Sequence, residues 1–140
     1  MIREKTLGEF TFTTDSEKID YAVVVDYLKR SYWGSHLAPE TIIRSIKNSL
    51  CFSVYFGDTM IGFARVVTDY ARFAYLADVF ILEEYRGKGI SKNLMRFIID
   101  YPGVKGCKIM LATKDAHGLY AKFGFKTLDE PWKYMELKEW

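Results

Sequence analysis

Cysteine is scarce in this chain: two in 140 residues, Cys51 and Cys107. Neither has a partner at metal-ligand spacing, which argues against a thiolate metal site and against a disulfide framework. Both read as small core or near-core residues. A dominant charge is missing as well. Twenty Lys and Arg stand against 18 Asp and Glu, a net charge of +2, too weak a bias for a nucleic-acid footprint. The basic residues are scattered as Lys29–Arg30, Arg44–Lys47 and Arg86–Lys88. No apolar run approaches the roughly 20 residues of a membrane helix. The stretch MIREKTLGEF is charged and lacks the apolar segment of a secretory signal. Internal repeats, low-complexity tracts and linkers are absent too. The expectation is a soluble cytoplasmic protein of one domain, residues 1–140, with no metal, no membrane partner and no nucleic-acid partner.

What is present is a hydrophobic fraction of 49% and an aromatic fraction of 16%. That suits a filled core, an aromatic-lined pocket, or both. Phe10 and Phe12 alternate with Thr over 9–14, which predicts a strand. Asp15 and Ser16 can cap a helix over 16–31, with Ile19, Val23 and Tyr27 on one face. SYWGSHLAP (31–39) reads as a loop broken by Gly34 and Pro39. A second helix is expected over 40–49, then a hairpin of strands 50–56 and 59–68 around Gly57–Asp58. The apolar run 72–82 predicts a strand buried on both faces. A helix over 89–100, a strand over 108–112, a helix over 115–123 stopped by Gly124 and a strand over 133–137 complete the order. The fold class is α/β, a mixed central sheet with flanking helices.

The informative stretch is EEYRGKGIS (83–91), where a buried strand runs into a Gly–Lys–Gly turn and a helix. One reading is an ordinary strand–turn–helix junction. The other is a phosphate cradle. The first amides of a helix lack internal partners and carry the positive end of its dipole. Glycine lets the backbone approach a ligand closely, and Arg86 and Lys88 add charge. The known phosphate motifs do not match. A P-loop needs G-x-x-x-x-G-K-S/T, but Gly89 follows Lys88; a dinucleotide fingerprint needs a third glycine where Lys92 stands.

Arg86-Gly87-Lys88-Gly89-Ile90-Ser91 resembles the Q/R-x-x-G-x-G/A motif of the GNAT superfamily of N-acetyltransferases. ADVFILEEY before it resembles that family's central strand. Ala116 and the run His117-Gly118-Leu119-Tyr120-Ala121-Lys122-Phe123-Gly124-Phe125 resemble its A-x-x-L-Y-x-x-x-G-F stretch. The resemblance is specific over about 72–125 and topological before that. It implies the GNAT fold, acetyl-CoA as cosubstrate, and direct acetyl transfer to a primary amine of a small molecule or peptide. It implies further that Val79, Phe80 and Ile81 lie along the pantetheine arm. The amides of Arg86, Gly87, Lys88, Gly89, Ile90 and Ser91 would hold the pyrophosphate. Tyr120 would protonate the departing thiolate, and a strand amide near Val79 would hold the oxyanion.

Asp78 is the carboxylate nearest the reacting carbonyl by position; it reads as a base or substrate contact, or as a structural residue. Ser91 departs from the usual Gly or Ala but is small. Thr113 stands where many relatives carry an Asn that contacts the cofactor. His117 could be a catalytic group, but a lone His on a helix reads rather as a surface or structural residue. Tyr32 and Trp33, with His36, read either as an acceptor wall or as loop packing. Trp132, Tyr134 and Trp140 read as shaping the acceptor end or, the favoured reading, as closing the sheet edge. Pairing of two copies through exposed strand edges stays open. Two other function classes remain: a non-catalytic acyl-CoA sensor, which has no need of Tyr120, and a nucleotide or polyanion binder, which would take ATP as well as CoA.

Overall fold

The computed structural model describes residues 1–139. Its sheet has six strands in sequence order: β1 (Glu4–Leu7), β2 (Phe10–Thr13), β3 (Leu50–Phe56), β4 (Thr59–Thr68), β5 (Phe73–Ile81) and β6 (Lys108–Leu111). All neighbours pair antiparallel except β5 and β6, which run parallel. Four helices flank it: α1 (Tyr21–Arg30), α2 (Pro39–Lys47), α3 (Ile90–Ile99) and α4 (His117–Ala121). The period-2 alternation of strand side chains sends the core to two faces. Phe52, Val54, Ile61, Val66 and Leu76 pack with Ile90, Leu94 and Ile98 of α3. Cys51, Met60, Phe63 and Phe80 pack with Val24 and Leu28 of α1 and Ile42 and Ile46 of α2.

Four local expectations change. β1 is an added edge strand; its residues are all exposed, so EKTL carries no apolar alternation to announce it. The first helix starts later, because Asp15 caps only a short 3₁₀ turn, Ser16–Lys18, and Asp20 caps α1 through the Val23 amide. β5 is not buried on both faces: Phe73 and Tyr75 are exposed. The strand expected over 133–137 does not form. Pro131 opens a 3₁₀ turn, Pro131–Lys133, and the residues after it pair with no strand of this chain. Trp132 is exposed; Tyr134 is exposed too but lies against Lys108 on the free edge of β6; Trp140 lies outside the described residues.

The β4–β5 connection is held by one carboxylate. Asp69 Oδ1 accepts from the amides of Ala71, Arg72 and Phe73 at 2.9, 2.8 and 3.1 Å. These bonds hold its pKa down, from 3.8 to about 2. A carboxyl whose folded pKa is depressed stabilises the fold above its unfolded pKa and loses that contribution as pH falls through the folded one. Asp69→Ala is therefore expected to lower the melting temperature at neutral pH. The gap to wild type should shrink as pH falls from about 4 to about 2, which thermal melts across that window check.

Candidate active site

β5 and β6 pair only over Phe73–Leu76 and Lys108–Leu111. Past Leu76, β5 runs on to Ile81 paired with β4 alone, with no strand on its β6 side. The parting begins at a bulge. Phe63 faces Phe80 and Arg65 faces Ala77, so Ala64 alone opposes both Asp78 and Val79. Asp78 takes a left-handed φ of 52°, a conformation that Asp tolerates better than most residues. A bulge of this kind bends a strand and re-aims its side chains. The backbone direction then follows. Leu82 donates to the Ile61 carbonyl at 2.8 Å. Antiparallel alternation turns Phe80 toward β4 and leaves the backbone groups of Val79 and Ile81 on the open side. Of the three residues expected along the pantetheine, Phe80 therefore serves the core. Its ring stacks on Tyr27 of α1 at 4.0 Å and 10°.

The open side of β5 borders a cavity of about 800 Å³. It brings together Tyr32, Trp33, Asp78, Val79, Thr113 and Tyr120, six of the expected site residues drawn from three separate segments. Trp33 is seated by a tight local network: Ser31 Oγ donates to the Leu28 carbonyl at 2.7 Å and accepts from the Gly34 amide at 3.0 Å. Only glycine fits next, because a Cβ on Gly34 would lie 2.7 Å from that carbonyl. Trp33 Nε1 then reaches Asp78 Oδ1 at 2.9 Å, and Arg65 Nε binds Asp78 Oδ2 at 2.7 Å. Both Asp78 oxygens are engaged, so the carboxylate anchors the cavity wall. Arg65 was not singled out from the sequence, although a lone cation inside the apolar run MIGFARVV was a usable signal.

Tyr120 enters from α4. Thr113 Oγ1 accepts from the Ala116 amide at 3.0 Å, so the threonine fixes the turn that presents Tyr120 and keeps its own proton for donation. Among the described residues the Tyr120 hydroxyl has no hydrogen-bond partner. Burial, and secondarily Tyr32, pushes its pKa above the ordinary 10. It is thus a protonated, unengaged phenol facing the cavity at neutral pH. His117 is exposed and does not line the cavity.

The phosphate-cradle residues lie outside this cavity, beyond the end of β5. Gly87 and Gly89 have φ of 78° and 76°, and space is open where their Cβ atoms would be. Gly89 caps α3 with no side-chain acceptor. Ile90 is buried and pins the helix to the core. The amides of Gly87, Lys88 and Gly89 have no acceptor among the described residues, and those of Ile90 and Ser91 begin the helix. Arg86 differs. Its amide already donates to the Glu83 carbonyl, its Nε to the Ile81 carbonyl at 2.9 Å and its Nη2 to the Tyr27 hydroxyl at 2.7 Å. Arg86 braces the turn against β5 and α1, and the free amides begin one residue later than expected.

Comparison with known proteins bears on the fold and the family. The model of the acetyltransferase (GNAT) family matches residues 20–125. A GNAT-family protein from Xanthomonas campestris pv. campestris is 38% identical, with 96% of each chain covered and a TM-score of 0.91. A relative from Gibberella zeae that carries an acetyltransferase name is 24% identical, over 84% of this chain and 78% of its own length. A Clostridium acetobutylicum structure solved with acetyl-CoA shares the fold at 15% identity and a TM-score of 0.65, covering 99% of this chain and 96% of its own. The chain belongs to the GNAT acetyltransferase family.

Proposed function

We propose that this protein moves the acetyl group of acetyl-CoA directly to a primary amine of a small molecule or peptide. The observation that carries this reading is Tyr120. It is a half-buried phenol without a hydrogen-bond partner among the described residues, in the same cavity as Val79, where β5 leaves β6. A pure binding pocket has no use for an unsatisfied hydroxyl there. The backbone of Val79 on the open side of β5 suits a pantetheine amide, the Ile81 carbonyl being already engaged by Arg86 Nε, and the free amides from Gly87 onward suit the pyrophosphate. The acceptor nitrogen attacks the thioester carbonyl, whose oxygen gathers charge beside the Val79 amide. The C–S bond breaks and the thiolate takes the Tyr120 proton. The amine gives up its own proton to solvent. Tyr32 and Trp33 line the acceptor side of the cavity, and Asp78 holds Trp33 in place.

Thermal melts test this first. Acetyl-CoA or CoA at about a hundredfold its Kd stabilises by about 2.7 kcal/mol, a shift of several degrees for a domain this size. ATP is expected to give no shift. Equal shifts with ATP would favour a general polyanion binder, and no shift with acetyl-CoA would overturn the assignment.

A further inference from the structure

One stretch of the sheet belongs to neither core. On β4 and β5, Val66, Ala74 and Leu76 turn to the α3 face and are buried. The alternate residues turn to the face that α1 and α2 cover. There Arg65 stands opposite Ala77, and Val67 opposite Tyr75. On β6, Met110 stands beside Tyr75 and Lys108 beside Phe73. The helices do not reach this far. Val67 is 44% exposed, Phe73 40% and Tyr75 37%. Met110 is half-buried and joins neither core cluster. Single exposed apolar residues are ordinary, but a contiguous strip with a polar rim marks a ligand groove. Lys108 bounds this strip at β6, its Nζ over the Tyr134 ring at 5.0 Å. The strip is continuous with the candidate active site, because Tyr75 lines the same cavity as Arg65, Val79 and Tyr120. The charges of that cavity are already matched. Among the described residues it holds two cations, Arg65 and Lys114, and two carboxylates, Asp78 and Asp115. Arg65 and Asp78 bind each other at 2.7 Å, and Lys114 Nζ lies over the Tyr32 ring at 5.4 Å.

We infer that the acceptor is a monoamine with a long apolar body, an alkyl or arylalkyl chain, which lies along Tyr75, Val67 and Met110 while its nitrogen reaches the thioester beside Val79. The inference rests on the acetyl-transfer reading of the cavity and narrows it. Length follows from the strand. From Val79 back to Tyr75, β5 covers about 13 Å at roughly 3.3 Å per residue. A short amine ends inside the cavity; a chain as long as octylamine reaches the strip. Charge selects in the same direction. The further ammonium groups of a polyamine would meet no carboxylate on the strip and would face Lys108 at its end, and an unpaired charge taken out of water is costly. Each methylene laid on the strip instead adds affinity, about fourfold at full burial and less on an open face.

The test is a chain-length series, butylamine, hexylamine and octylamine, with spermidine as a charged control of similar length. Each is assayed for thiol release from acetyl-CoA and for the melting temperature of the CoA-bound protein. Wild type is expected to use octylamine with a kcat/KM at least about tenfold above that for butylamine. It is expected to be stabilised more by octylamine than by spermidine. Tyr75→Thr and, separately, Val67→Ser are expected to be folded by circular dichroism. Both should lower the octylamine-to-butylamine ratio, Val67→Ser by about threefold and Tyr75→Thr by more. Val67 is the more exposed of the two, so its variant reads the strip whatever Tyr75→Thr does to folding. An equal ratio in wild type, a preference for spermidine, or an unchanged ratio in Val67→Ser overturns the inference. So does a wild-type dimer in sedimentation that either variant splits, since the strip then belongs to a second copy. The cofactor reading is scored apart. A protein that CoA does not stabilise loses both readings, whereas one that CoA stabilises and octylamine stabilises no further than butylamine loses only the strip.

Discussion

Tyr120→Phe is expected to lower kcat by about 10²- to 10⁴-fold, the usual contribution of a positioned proton donor, with acetyl-CoA affinity nearly unchanged. The ring is kept, so its edge-to-face contact with Phe125 at 5.8 Å survives and the cavity keeps its shape. Only the proton is lost. Because the hydroxyl has no partner among the described residues, its removal leaves no buried group unsatisfied, and the fold loses nothing. A loss confined to kcat marks an interaction made in the transition state. The pH profile adds a signature. Burial raises the phenol's pKa above 10, so wild-type turnover should fall only as pH rises through that higher value, and the variant should lack this limb. The linkage has the same sense: an acid held neutral by burial supports the fold below its unfolded pKa and loses that support as pH climbs through the folded one. Steady-state kinetics with a panel of amines, beside acetyl-CoA titration, checks all of this. Wild type and variant equally inactive on every amine, with binding intact, would favour the non-catalytic sensor.

Asp78→Asn is expected to destabilise the protein by about 3 kcal/mol, the lower end of the range for breaking a buried ion pair by removing one partner. Asn tolerates the left-handed backbone of the bulge and can still accept from Trp33. What it lacks is the charge that faces Arg65. The pair is well shielded, with side-chain exposures of 19% for Arg65 and 10% for Asp78 and a separation of 2.7 Å. An uncompensated guanidinium would remain in that wall. For a domain of this size the shift is about 10 °C. Arg65→Met/Asp78→Asn should recover much of the loss, because a neutral pair of similar volume removes the stranded charge. Thermal melts of the single and double variants check the sign and the coupling. The opposite result is equally informative. A variant with a wild-type melting temperature and an abolished kcat would make Asp78 the general base.

Much of the site was legible because its signals are local. Gly87 and Gly89 declare positive φ by their identity, and the helix after them supplies free amides wherever it packs. Tyr120 sits within one helical turn of the Thr113 bond that presents it. The two flanks of the cradle, Ile90 and the pair Phe80–Ile81, show their burial in their own apolar character. Arg86 was misread in detail because a sequence cannot tell whether a charge points at a ligand or at Tyr27, 59 residues away.

By itself, then, the sequence determined the order of the main elements, the turn at Gly87–Gly89 and the phenol on the last helix, since propensity, capping and backbone freedom act over a few residues. Tertiary structure alone decided the rest. The bulge that places Asp78 against Arg65 depends on the register between two strands. The cavity needs residues 32, 79 and 120 brought together. β1 gains its strand only from pairing with β2, and the strand pattern at 133–137 forms no strand because among the described residues its backbone pairs with none, not even the free edge of β6.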